Sequence, residues 1–212
     1  MLRDVLTWLV GHPKVFGQAI WQHLTLSCLA LTAAITIALP LSLVLLRWPK
    51  AAGATVGAVT VLRAIPSLAL LALMLPSLGT GFLPSFVALA LYGLPAILIN
   101  SYTGLRGIDA DIVEAARGQG LSNRQVMCRI QIPLALPVIF AGIRTAAVQI
   151  VSAATLAAFI GGGGLGELIT AGMGMLDIPQ LIVGGLAVAV LALSTEIGFG
   201  LVERRMARAG GA

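Results

Sequence analysis

Catalysis needs groups that can meet: a nucleophile beside its base, paired acids, or clustered histidines and cysteines. In these 212 residues the ionisable side chains are few and scattered, 13 Lys+Arg against 8 Asp+Glu, with two His. Arg63, Arg144 and Glu196 stand isolated inside long apolar runs. His12 and His23 have no partner by spacing, and Cys28 and Cys128 form no metal or disulfide pattern. The residues argue against an intramembrane enzyme. Gly161-x-Gly163-x-x-Gly166 has the spacing of a dinucleotide fingerprint. It lacks a surrounding β-α-β unit and the acid expected about 20 residues on. No Gly-Lys-Ser/Thr follows, so it is no phosphate loop either. A tight turn with close backbone packing is the better reading of Gly161, Gly163, Gly164 and Gly166.

The pattern with most to offer is Glu114-Ala115-Ala116, three residues, Gly120, nine residues, then Ile130-Gln131-Ile132-Pro133. It lies in the longest charged stretch. Asp109 is placed to cap a helix starting near Ala110, with Asp111 and Glu114 favouring its dipole. Gly118 and Gly120 end that helix, since glycine takes the left-handed cap conformation cheaply. Ser122 caps a second helix with Gln125 as its capping-box partner, and Pro133 is expected to close it. Helix, turn, helix is also a DNA-binding layout. Here it is strung between two apolar runs, too short for a recognition domain with its own core. A surface that fits a protein partner suits it better, with small Ala115 and Ala116 permitting close approach.

The elements that hold these residues are membrane spans. The chain is 58% hydrophobic and 10% charged, where a soluble domain carries about 25% charged residues. Spans need about 20 apolar residues. Candidates are 24–46, 51–75, 82–99, 134–159 and 178–202. The second is interrupted by Arg63, and its start could lie as late as Pro66. Residues 1–22 read as a short amphipathic helix on the membrane surface. With the 105–130 connection inside, the inner side collects Arg47, Lys50, Arg106, Arg117, Arg124, Arg129, Arg204, Arg205 and Arg208. The outer side keeps Arg3 and Lys14. The positive-inside rule then puts the N-terminus outside and the C-terminus in the cytoplasm. The bias accounts for the +5 net charge without nucleic acid. Pro40, Pro66, Pro95 and Pro137 punctuate the spans and can kink them. Gly53 and Gly57 are spaced for close helix approach.

The spaced motif resembles the EAA loop of ABC-transporter membrane subunits, E-A-A-x3-G-x9-I-x-L-P, with Ile132 where Leu is usual. The resemblance widens to osmoprotectant permeases of the glycine betaine/carnitine/choline group. It is carried by Arg63–Leu71, Ser101–Asp109, Pro133–Thr145 and Thr155–Gly166, and covers roughly residues 23–205. It implies an all-α type I importer permease: about five spans, an N-terminal amphipathic helix and a cytoplasmic coupling helix. The implied domains are 1–22, a permease domain over 23–205 with its loop at 105–133, and a cytoplasmic tail over 206–212. Implied partners are a cytoplasmic ATPase dimer, a second permease subunit (identical or paralogous), and a periplasmic or lipid-anchored binding protein. The location is the bacterial inner membrane, in contact with lipid and without nucleic acid. ATP and magnesium belong to the ATPase, and this chain carries no cofactor.

By the resemblance, Glu114, Ala115, Ala116 and Gly120 meet the ATPase, with Leu121, Ser122 and Arg124 beside them. Gly161, Gly163, Gly164 and Gly166 belong to the outer gate or the binding-protein contact. Arg63 and Arg144 should face the bundle interior, because charge is costly at membrane depth. They serve either the carboxylate of a betaine-like cargo or a structural pairing with Glu196 or helix-end carbonyls. An amino-acid cargo such as methionine keeps the same mechanism. A secondary transporter without an ATPase often shows inverted repeats, and none is visible.

Overall fold

Inside hydrocarbon a backbone can satisfy its N–H and C=O groups only internally, so long apolar runs must be helices. The computed structural model describes residues 1–209, and their regular elements are all helical. Residues 210–212 of the expected tail lie outside the described residues. Among the described residues four helices are long and apolar enough to cross a bilayer by themselves: α2 (Pro13–Leu45), α5 (Phe82–Arg106), a rod over Asn123–Ile160, and α10 (Ile178–Ala209). The expected second span is two helices, α3 (Pro49–Ala64) and α4 (Ser67–Leu78), bent by 99° at Ile65–Pro66. Pro66 sits at this corner because proline disfavours helical geometry in the residue before it; Ile65 is extended. Pro40, Pro95 and Pro137 lie inside helices that continue through them.

The N-terminus departs from expectation. The first helix, α1, spans only Leu2–Gly11, and α2 begins at Pro13. His12 is the joint. Pro13 starts a helix readily because its missing N–H would have no intrahelical partner there. At 33 residues, α2 is about 50 Å long, so its first turns stand clear of a hydrocarbon core about 30 Å thick. The apolar side of α1, through Val5, Trp8 and Leu9, packs near Ala19, Leu165, Leu168 and Val183. A further helix, α9 (Leu165–Met175), fills the expected outer connection 160–177.

The central post is α5. Of its most apolar stretch 61% is buried, against 11% for α10, so α10 is peripheral. Small residues bring the helices together: Ala34 and Ala38 of α2, Ala96 of α5 and Ala146 form one core with Ile97 and Leu98. At Gly142 a Cβ would stand 2.9 Å from the Ala96 carbonyl oxygen. By contrast, Gly53 and Gly57 have nothing within 4 Å of a Cβ position, so that pair draws no helix of this chain close. Gly142→Val should therefore overpack the α5 contact and cost about 1–3 kcal/mol. Thermal unfolding in detergent reads this as a lowered midpoint with unchanged helix content before melting.

Candidate functional site

The charged connection is a capped helical hairpin. Its first helix, α6 (Ala110–Gly118), starts at Asp109, whose Oδ1 accepts from the Asp111 N–H at 2.9 Å. It ends in a closed main-chain motif. The Leu121 N–H donates to the Ala116 carbonyl at 3.3 Å and the Gly120 N–H to Arg117 at 2.9 Å. This is a Schellman closure, and its left-handed position is Gly120, with φ +83°. A Cβ on Gly120 would meet nothing within 4 Å; the constraint there is conformational. The second helix, α7 (Asn123–Val126), carries the full capping box: the Gln125 N–H donates to Ser122 Oγ, and the Ser122 N–H to Gln125 Oε1 at 2.8 Å.

Pro133 does not close this second helix. A π-helical turn, Met127–Gln131, carries it into α8 (Ile132–Ala153), and Pro133 falls in the first turn of α8. The wider turn passes the proline without breaking the rod, which runs over Asn123–Ile160. Glu114, Ala115, Gly120, Ser122 and Arg124 are exposed and Leu121 is half-buried. Ala116 points inward at 7% exposure, so it packs the hairpin and offers no outer face. Arg47, Arg117 and Arg124 line a groove beside Val126 and Met127. The face is basic and suits an acidic or polar partner surface.

At the opposite end, a 3₁₀ segment (Ala154–Ile160) leads into the glycine run. Gly163, Gly164 and Gly166 are buried within the chain and only Gly161 is exposed, so three of the four expected contact glycines serve internal packing. A Cβ on Gly166 would collide with the Thr155 carbonyl oxygen. The Gly164 N–H donates to Gln22 Oε1 at 3.1 Å, and the Gly81 N–H to the Ile160 carbonyl at 2.7 Å. The turn thereby joins α2 near Gln22 to the start of α5. Exposed Trp21 and Phe82 stand beside Gly161 and Glu167 around a shallow cavity.

Sequence reasoning missed His23. It is fully buried, and its Nε2 lies 3.0 Å from the Val151 carbonyl oxygen. A carbonyl only accepts, so Nε2 carries the proton. Its Nδ1 faces the glycine run, where a Cβ on Gly164 would stand 3.1 Å away. The signal was in the helical spacing: His23, Ser27, Ala30, Ala34 and Ala38 are all buried on one face of α2.

The two intramembrane arginines separate. Arg144 on α8 pairs with Glu196 and, at 2.7 Å, with Glu203 on α10. Glu196 was an expected partner and Glu203 was not. Nearby, Phe140 and Phe199 pack with ring centroids 5.8 Å apart. Arg144 is 32% exposed, Glu196 41% and Glu203 26%; the cluster sits on the flank of the bundle, not in its interior. Arg63 ends α3 at the 99° corner, is exposed, and has no ion-pair partner among the described residues. The expected inward orientation does not hold for it within this chain.

Apolar spans around a central post, a capped hairpin on a continuous rod, and a glycine-closed opposite end define a multi-span helical membrane protein. Residues 34–208 match the family of binding-protein-dependent transport system inner membrane components. The chain belongs to that family. It is 44% identical to a carnitine transport permease protein, OpuCB, of Listeria monocytogenes, over 88% of this chain and 85% of that one. It is 40% identical to a choline transport system permease protein, OpuBB, of Bacillus subtilis, over 90% and 88%. Its fold is similar to that of the MetNI methionine ABC transporter in an inward-facing conformation. The TM-score is 0.79 at 20% identity, covering 91% of this chain and 96% of that one.

Two outcomes test this geometry. Arg144→Met strands two carboxylates and should lower the yield of folded protein on size-exclusion chromatography, while Arg144→Met with Glu196→Gln and Glu203→Gln restores it. Gly120→Ala forces a Cβ into the left-handed region at a cost of about 1–2 kcal/mol. It should speed proteolysis within 117–125 while leaving the thermal midpoint of the spans unchanged.

Proposed function

We propose that this chain is the membrane permease of an ATP-driven importer for quaternary-amine osmoprotectants such as glycine betaine, choline and carnitine. The observation that carries this reading is near-full-length identity of 40–44% to permeases named for carnitine and choline. ATP and magnesium act on a separate cytoplasmic ATPase dimer. A second permease subunit, identical or paralogous, completes the pathway, and an external binding protein delivers the cargo. The hairpin faces the cytoplasm of a bacterial cell, the C-terminus lies on the same side, and the N-terminus lies outside.

In this reading, Glu114, Ala115, Gly120, Leu121, Ser122 and Arg124 form the surface seated in the ATPase, and Ala116 stiffens it from within. Closure of the ATPase pushes α6 and α7. Because α7 runs into α8 without a break, the push reaches the 3₁₀ segment and the glycine run at the other end of the rod. Trp21, Phe82, Gly161 and Glu167 supply the outer surface for the binding protein. A trimethylammonium group is usually held by an aromatic cage, and only 5% of this chain is aromatic. Selection among cargoes therefore rests mainly with the binding protein. The methionine-like fold carries no argument for a methionine cargo, since 20% identity speaks to fold alone.

A tagged chain purified from its native membrane in mild detergent should bring an ATPase with it in near-equal amount. Gly120→Asp should lose both the ATPase and glycine betaine uptake while the chain remains in the membrane fraction. A wild-type chain that purifies alone and transports alone in liposomes would overturn the reading.

A further inference from the structure

Arg63 is a charge without a counter-charge, and the composition of the chain makes that informative. It lies about 20 Å along α3 from Pro49, where Arg47, Trp48 and Lys50 mark an interface. Beyond the corner, α4 leads to Gly81, which is tied to the outer turn by its hydrogen bond to Ile160. Arg63 therefore sits between the two interfaces. Its neighbours Thr60 and Ala64 are short and exposed. A guanidinium at membrane depth is costly against lipid, and such groups as a rule face a bundle interior or a water-filled cavity.

The chain has eight side-chain carboxylates. Asp109, Asp111 and Glu114 are in the hairpin. Asp4, Glu167 and Asp177 are in or beside α1 and α9, at the other end. Glu196 and Glu203 are held by Arg144. No carboxylate at the depth of Arg63 remains, and a second identical copy would bring another Arg63 and no spare acid. Neither this chain nor an identical second copy therefore supplies a counter-charge to Arg63.

We propose that Arg63 lines the water-filled cargo pathway at the corner of the bent span and takes the carboxylate of a passing zwitterion in a transient, bidentate contact. The guanidinium fork matches a carboxylate and repels the trimethylammonium end, which orients the cargo. This rests on the osmoprotectant reading above. It makes Arg63 a specificity-determining residue for cargoes that carry a carboxylate, such as glycine betaine, over choline, which has a hydroxyl instead.

The test uses the complete transporter, permease with its ATPase and binding protein, in proteoliposomes. Uptake of labelled glycine betaine and labelled choline is measured at saturating concentration, where the affinity of the binding protein no longer sets the rate. Arg63→Gln should lower the ratio of glycine betaine to choline rates at least tenfold. Arg63→Lys keeps the charge but loses the fork, and should lower the ratio about threefold; it carries the test if the glutamine variant fails to assemble with the ATPase. An unchanged ratio in an assembled variant, whether both rates persist or both fall together, overturns the assignment of Arg63 and leaves the osmoprotectant reading standing. A wild-type complex that hydrolyses ATP and moves neither probe overturns both.

Discussion

No backbone N–H or C=O can be left unpaired in hydrocarbon, and every other property of this molecule follows from how it meets that rule. Straight α-helix meets it everywhere. Each departure from α-helix must then be covered by protein or wetted. Three departures, apart from the short connections between helices, stand out among the described residues: the corner at Ile65–Pro66, the π turn at Met127–Gln131, and the 3₁₀ segment leading to Gly161–Gly164. One turns a span at Arg63, one joins the charged hairpin to the bundle, and one closes the opposite face. Helical regularity supplies stability here, and its interruptions supply mechanism.

Charge obeys the same accounting. The Arg144 cluster is one cation against two carboxylates, and it fastens α10, the least buried of the spans, to the rod that ends in the hairpin. In lipid, helix association rests on close packing and directional contacts; α10 has both, through Val183 and Gly184 against α9 and through the ion cluster and the Phe140–Phe199 pair against α8. Arg63 has no such work to do inside the chain, which is why its position at a corner carries meaning.

Sequence patterns revealed much of this. Local, one-dimensional devices were legible: the Asp109 cap, the Ser122–Gln125 capping box and the turn at Gly120; Glu196 was legible only as one of several partners open to an intramembrane arginine. Features decided by three-dimensional packing were not. Pro13 begins a helix and Pro133 passes through one, because a proline's effect depends on whether its missing N–H was needed at that turn. Ala116 belongs to the motif yet points inward, since helical phase sends it behind Ala115. The outer glycines read as a contact surface because glycine marks close approach without saying to what; here they approach α2, α5 and the 3₁₀ segment. His23 was passed over for want of a partner in sequence, and its partners, Val151 and the Gly164 turn, lie far along the chain. Glu203 escaped notice because it sits beside Arg204 and Arg205, in what looked like a solvated end.

The turn of the hairpin is closed by main-chain atoms alone, through Leu121 to Ala116 and Gly120 to Arg117. The side chains of Arg117 and Gln119, both exposed, hold nothing in place. They are therefore free to change without disturbing the shape that carries them. After a gene duplication, those positions could drift while the fold of the hairpin stayed intact. The architecture separates what shapes the hairpin from what its surface displays, and selection can act on the second while leaving the first alone.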